Sequence, residues 1–208
     1  MKRYLVEFIG TFFLVLTVGC TGIATAPGVI APLAIGSALM IMVYAGGHVS
    51  GGHYNPAVTI AVWIRGRCDA ATAVAYIVAQ IIAAAVASWV VGYMIGFPAI
   101  SEKVINVGPA FLAEFLFTFA LAYVVLNTAT AKSTAGNSYF GLAIGMTVMT
   151  GAFAVGPISG GAFNPAVAVG VGLMHLLKFS NIWIHLSAEV FAAIVAGLAF
   201  KAINPNDP

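Results

Sequence analysis

Residues 33–62 read LAIGSALMIMVYAGGHVSGGHYNPAVTIAV, and residues 142–171 read LAIGMTVMTGAFAVGPISGGAFNPAVAVGV. The two stretches align without a gap at an offset of 109, and about half of their positions are identical. The same offset carries Ala79, Ala83 and Ala87 onto Ala188, Ala192 and Ala196. At a nearby offset, Glu7-Phe8 with Thr11-Phe12 matches Glu114-Phe115 with Thr118-Phe119. The chain reads as two copies of one unit, about 1–100 and 108–208, within a single membrane domain.

Composition says where such a unit folds. The 208 residues are 62% hydrophobic and 7% charged, whereas a soluble domain carries about 25% charge. Mean hydropathy is +1.05. Apolar stretches bounded by Gly, Pro or charge run at 4–25, 31–49, 71–96, 109–130, 138–156 and 181–203. Each is long enough to cross a bilayer core, which takes about 20 helical residues. Two shorter stretches, 55–66 and 164–177, cover about half that thickness at about 1.5 Å per residue. Each copy therefore holds three spans and one half-span. Three is odd, so the second copy starts from the opposite side and the repeats are inverted in the membrane. The expected fold is an all-α membrane bundle of six transmembrane helices with two re-entrant half-helices.

Charge sets the orientation. Lys2, Arg3, Arg65, Arg67, Lys132 and Lys201 share one face, against Lys103 and Lys178 on the other. The basic-rich face is cytoplasmic by the positive-inside rule, which places both termini inside. Lys2 and Arg3 precede a run that Glu7 interrupts, and another apolar run begins near Ala31, so the first segment reads as a retained span. A net charge of +2 leaves no nucleic-acid footprint. Cys20 and Cys68 make neither a disulfide framework nor a metal site, and no His, Cys or carboxylate cluster has ligand spacing. No nucleophile, base and orienting acid assemble, so neither an enzyme nor a cofactor is expected.

The chemistry concentrates in Ser50-Gly51-Gly52-His53-Tyr54-Asn55-Pro56-Ala57 and Ser159-Gly160-Gly161-Ala162-Phe163-Asn164-Pro165-Ala166. Glycines permit irregular backbone, Asn is a preferred N-cap, and Pro suits the first helical position. Inversion makes the two capped N-termini meet at mid-membrane, each worth about half a positive charge. Cations and hydronium meet a barrier there; neutral polar molecules do not. Asn55 and Asn164 are expected to accept from helix N–H groups and aim amide donors into a lumen. The loops Gly52, His53, Tyr54 and Gly160, Gly161, Ala162, Phe163 are expected to line it with carbonyl acceptors.

The twin Asn-Pro-Ala motifs, the six-span pattern and the Glu-x-x-x-Thr start of each half resemble the aquaporin (major intrinsic protein) family over essentially the whole chain. The resemblance implies a right-handed bundle, a homotetramer with one pore per subunit, and passive passage of water or small uncharged solutes. Family members usually carry Arg directly after the second Asn-Pro-Ala; here that residue is Val167. The resemblance places the selectivity filter at Ile35, Ala152, Gly161 and Val167: wide, apolar and uncharged. That filter suits glycerol, urea and undissociated metalloid acids as well as water. The alternatives are a secondary transporter, since inverted repeats with broken helices also build those, and a channel dedicated to a larger weak acid with water incidental. A structural junction protein is disfavoured, because no long extramembrane segment exists to mediate contact.

Glu7 and Glu114 lie inside spans, where ionisable residues are costly and paired or functional. Their equivalent positions favour a scaffold role, each carboxyl accepting from the backbone of a re-entrant loop. Glu189, whose repeat partner is Gln80, is left open between the pore, a neighbouring subunit and the motif loops. His48 and His53 flank the first motif as vestibule or loop-stabilising residues. His175 and His185 are expected to anchor at the outer interface.

Overall fold

A computed structural model of the chain describes residues 1–23, 30–100 and 105–207. In chain order its main helices are α1 (Lys2–Ile23), α2 (Ile30–Ser50), α3 (Pro56–Arg65), α4 (Ala70–Ile95), α5 (Val107–Val125), α6 (Phe140–Ser159), α7 (Pro165–Leu173) and α8 (Ile182–Ile203). Six of them, all but α3 and α7, are long and apolar enough to cross a membrane. Lys103 and the last two residues of the first expected span lie outside the described residues.

Local chemistry sets the helix ends. Asn55 and Asn164 cap α3 and α7 from extended backbone, with proline at the first helical position of each. Gly66 closes α3 in the left-handed region at φ 94°. Asp69 caps α4, its carboxylate accepting the Thr72 N–H at 2.8 Å and the Thr72 hydroxyl at 2.6 Å. The second half-helix is shorter than the expected 164–177. It ends at Leu173 because His175 turns left-handed at φ 65°, and the N–H groups of Leu176 and Leu177 fold back onto the Val171 carbonyl at 2.9 and 3.2 Å. α5 runs into a π-helical turn, Leu126–Thr130, where Asn127, Thr128 and Thr130 each donate to a carbonyl four residues back.

Packing couples the two copies. α1 lies along α4 and α5 along α8, while α2 crosses α6 between the halves. α3 packs against α8, and α7 against α4. Each half-helix is thus held by the last span of the opposite copy. Small residues face inward: Ala83, Ala87, Ala188, Ala192 and Ala196 are fully buried, while Leu5, Ile9, Phe13, Val74, Val78 and Trp89 are exposed. Lipid is as apolar as these side chains, so close backbone approach, not burial of large residues, drives helix association. A close backbone approach lies at Gly36 and Gly145, repeat equivalents on α2 and α6. A methyl group on Gly36 would meet the Gly145 carbonyl oxygen at 2.7 Å, and one on Gly145 would collide with the carbonyl of Gly36.

A polar clamp closes the end of the bundle that holds the C-terminal tail. Arg65, its side chain fully buried, donates to the Thr130 hydroxyl at 2.9 Å, the Thr130 carbonyl at 3.1 Å and Asp207 Oδ1 at 2.8 Å. Its guanidinium lies 4.5 Å over the Phe200 ring, and Asp207 Oδ2 accepts the Lys132 N–H at 2.7 Å. The Lys132 N–H foremost, with Arg65 adding to it, holds the Asp207 carboxyl below its usual range. A depressed folded value contributes stability above the unfolded value, about 3.9 for Asp, and loses it as pH falls through the folded one. Hydrogen exchange in residues 131–139 is therefore expected to be slow at neutral pH and faster in strong acid. In Asp207→Asn it is expected to be fast at both. Equal protection of variant and wild type at neutral pH would refute the clamp.

Candidate pore and its two re-entrant loops

The loops entering α3 and α7 share one backbone path. Gly51 and Gly160 sit at φ 93° and 103°, Gly52 and Gly161 at 64° and 69°, Tyr54 and Phe163 at 48° and 49°. An aromatic residue held left-handed costs about 1–3 kcal/mol unless its surroundings determine it. Two buried carboxylates do so. Glu7 accepts the N–H of His53 at 3.0 Å and of Tyr54 at 2.7 Å; Glu114 accepts those of Ala162 at 3.1 Å and Phe163 at 2.7 Å. The Ser50 hydroxyl and the Gln80 amide complete Glu7 at 2.7 and 2.8 Å.

The two motifs then tie to each other. Asn55 Oδ1 accepts the Ala57 N–H at 2.8 Å, and Asn164 Oδ1 that of Ala166 at 2.9 Å. The Asn55 amide donates to the Phe163 carbonyl and the Asn164 amide to the Tyr54 carbonyl, both at 2.9 Å. Of the two N–H groups on each amide, one is therefore spent across the motif pair and one is left for the lumen. The capping expected of both side chains is present, and the bond across the motif pair is an addition to it. Each motif thus caps its own helix and binds the other's loop.

A cavity of about 460 Å³ runs past these residues. Asn55, Asn164, His53, Gly160, Gly161 and Ala162 line it on the polar side. Leu14, Val18, Leu39, Ile144 and Val148 line it with apolar surface. Ile35, Ala152, Gly161 and Val167 are all among the lining residues. Gly52, Tyr54 and Phe163 are not, contrary to expectation. The left-handed turn sends both aromatic side chains back into the bundle. The Tyr54 ring fills the space beside Gly10 and Gly46, and its hydroxyl donates to the Met42 carbonyl at 2.9 Å. Phe163 packs on Phe117, ring centroids 5.5 Å apart, beside Gly151. Pro56, Ala57, Pro165 and Ala166 are buried as the first turns of the half-helices.

A second cavity of about 560 Å³ is polar, with Arg3, Ser50, Arg67, Asp69 and Tyr76 on its wall. His53 borders both cavities. Its ring is fixed by Thr59 Oγ1 at 3.1 Å and by the edge of Tyr76 at 5.2 Å. His48 is exposed at the end of α2.

Several residues around the loops were not foreseen. His185, expected at the interface, is buried and lines the first cavity; its Nε2 donates to the Ser159 carbonyl at 3.0 Å. Its repeat equivalent Tyr76 donates to the Ser50 carbonyl at 2.8 Å. Glu189, left open by the sequence, is fully buried and accepts the Asn164 N–H at 3.0 Å. Ser88 donates to Gly170 of α7 at 3.2 Å. The 109-residue offset pairs Tyr76 with His185 and Gln80 with Glu189, and that pairing was the available signal. His175 pairs with the Pro98 carbonyl at 3.2 Å.

The profile described as Major intrinsic protein matches residues 1–200. The chain belongs to that family. Members of the major intrinsic protein family are channels rather than enzymes, so this multi-pass membrane protein is a passive channel for water and small uncharged solutes. Membership does not favour the secondary-transporter and dedicated weak-acid alternatives. Glycerol uptake facilitator protein-like 6 of Lactiplantibacillus plantarum is 36% identical, covering 100% of both chains. Nodulin-26 of Glycine max is 33% identical over 100% of this chain and 79% of its own. The aquaglyceroporin from Plasmodium falciparum, solved by X-ray crystallography, superposes with a TM-score of 0.81 at 20% identity, covering 98% of this chain and 97% of its own. This last likeness concerns the fold.

Proposed function

We propose that this pore conducts glycerol- and urea-sized neutral solutes, and undissociated metalloid acids of similar size, together with water. The observation that carries the reading is the filter set itself. Ile35, Ala152, Gly161 and Val167 bring neither a charge nor an aromatic ring to the cavity wall. Loop backbone at Gly160 to Ala162 and the free amide N–H of each Asn offer hydrogen bonds on one side, and aliphatic side chains accept carbon–hydrogen surface on the other. The dipoles of α3 and α7 oppose cations at the midpoint. The name of the Lactiplantibacillus plantarum relative supports glycerol as a cargo.

The chain works in this reading as one membrane domain with both termini cytoplasmic. It assembles as a homotetramer in the cell membrane, each subunit carrying its own pore. The exposed apolar faces of α1, α2, α5 and α6 suit either lipid or a second copy.

Stopped-flow light scattering of proteoliposomes tests the cargo. Glycerol and urea are expected to enter far faster than into empty vesicles, without saturation. Val167→Arg is expected to cut glycerol permeability by roughly tenfold while water falls by less than about threefold, because a long charged side chain narrows the wall for the larger solute first. Equal loss of both solutes would count against Val167 as a filter residue, and water flux with glycerol excluded in the wild type would overturn the wide pore.

A further inference from the structure

Each re-entrant loop leaves its long helix at a serine, Ser50 at the end of α2 and Ser159 at the end of α6. The carbonyls of a helix's last turn have no donor within the helix and need one from outside. In the first half the Tyr76 hydroxyl donates to the Ser50 carbonyl at 2.8 Å; in the second, His185 Nε2 donates to the Ser159 carbonyl at 3.0 Å. In both, the serine hydroxyl oxygen then accepts the N–H two residues on, Gly52 in one and Gly161 in the other, each at 3.1 Å. A chain of bonds thus runs from a transmembrane side chain through a serine to a loop glycine.

The two halves differ in what else holds the serine. Ser50 has a second tie, its hydroxyl donating to Glu7 at 2.7 Å. Among the described residues no hydrogen bond joins the Ser159 hydroxyl to Glu114, which accepts from Ala162 and Phe163 instead. Pro157, in the last turn of α6, also lacks the N–H that its repeat equivalent His48 brings to α2. The Ser159 turn therefore leans on His185. That ring's Nε2 lies 3.6 Å from Glu114 Oε1, beyond hydrogen-bond length, and its Nδ1 has no partner among the described residues. A carbonyl only accepts, so the bond to Ser159 places a ring proton on Nε2. The ring is buried and lines the cavity, as do Ser159, Gly160 and Gly161.

We propose that His185 is a positioning residue of the selectivity filter: it holds the Ser159 carbonyl and thereby fixes the turn that presents Gly161 to passing solutes. The inference rests on the assignment of Gly161 to the filter. Gly160 and Gly161 are left-handed at φ 103° and 69°. A methyl on Gly160 would meet nothing within 4 Å, so the turn has room to move beside the cavity it lines. Released from His185, it relaxes into that space, and the wall closes on a large solute before it closes on water. His185 thus acts, through Ser159, on the ratio of glycerol to water.

The flux arm of the test rests on the cargo reading; the spectroscopic arm does not. In proteoliposomes normalised for folded protein, His185→Leu is expected to lower the glycerol-to-water permeability ratio by roughly fivefold. His185→Gln, whose amide nitrogen can donate to the same carbonyl, is expected to keep the ratio within about twofold of wild type. Ser159→Ala removes the acceptor of the Gly161 N–H and is expected to lower the ratio as His185→Leu does. The double variant is expected to lower it no further, since both act along one chain of bonds. In NMR spectra of protein with isotope-labelled histidine nitrogens, the ring signal lost in His185→Gln is expected to be that of an imidazole protonated on Nε2. Proportional loss of both permeabilities in His185→Leu, a His185→Gln protein that behaves like His185→Leu, additive effects in the double variant, or a ring protonated on Nδ1 alone each overturn the proposal. If His185→Leu fails to fold, the Ser159→Ala ratio and the ring tautomer decide. A wild type with the Nε2 proton that passes no glycerol upholds the anchor and refutes the cargo.

Discussion

Glu7→Leu is expected to abolish solute flux and to leave little folded protein in detergent. The substitution keeps most of the side-chain bulk, so the effect comes from hydrogen bonds. The Ser50 hydroxyl, the N–H groups of His53 and Tyr54, and the Gln80 amide all terminate on this carboxylate, at 2.7 to 3.0 Å. Three of these donors are buried, and each left without an acceptor costs about 1–3 kcal/mol, about 3–9 kcal/mol together. Tyr54 also loses the bond that holds its left-handed backbone. Losses of that size are comparable to a stability margin of about 5–15 kcal/mol. Glu7→Gln keeps one acceptor oxygen but turns an amide toward donors, and its expected defect is intermediate. The check is size-exclusion profile, thermal unfolding in detergent and glycerol permeability for the three proteins. A monodisperse, conducting Glu7→Leu protein would show that the loop holds its shape by other means.

Gly145→Ala is the second large expected effect. The added methyl meets the Gly36 carbonyl and the Met40 backbone of α2. Backbone cannot swing aside as a side-chain tip can, so α2 and α6 must part. Overpacking of this kind costs about 1–3 kcal/mol or more. The displaced helices carry Ile35 and Leu39 on one wall of the cavity and Ile144 and Val148 on another, so the pore changes shape with them. The unfolding temperature is expected to fall by several degrees, with glycerol and water permeability both altered. Gly108→Ala is the control, since a methyl there meets nothing within 4 Å. A Gly145→Ala protein as stable as Gly108→Ala would show that the two helices tolerate separation at their crossing.

Both predictions concern positions whose importance was unequally visible beforehand. Glu7 and Glu114 stand out in sequence because carboxyls inside apolar runs are costly, and because the repeat places one in each half. Gly145 was legible as a small residue on a helix face, but its partner was not. Gly36 is its own repeat equivalent, and the contact between them exists because the two copies are docked about a common axis. The motif residues divide in the same way. Capping by Asn55 and Asn164 could be read from three consecutive residues, since an N-cap bond closes within one turn. The bonds from Asn55 to Phe163 and from Asn164 to Tyr54 span separations of 108 and 110 residues, and nothing local specifies them. The sequence places Tyr54 and Phe163 in lumenal loops, and only the sign of φ shows their rings turning away.

By itself the sequence determined the spans, the half-spans, the inverted repeat, the capped motifs and the orienting charge, which are properties of periodicity, length and short-range hydrogen bonding. The tertiary structure decided which buried groups meet. Gln80 completes Glu7 while Glu189 takes the Asn164 N–H, His185 leaves the interface for the cavity wall, and Arg65 spends its charge on Asp207 instead of on solvent. The physical reason is that a buried polar group must find a partner wherever the fold brings one, and in a bundle of inverted copies that partner lies far along the chain.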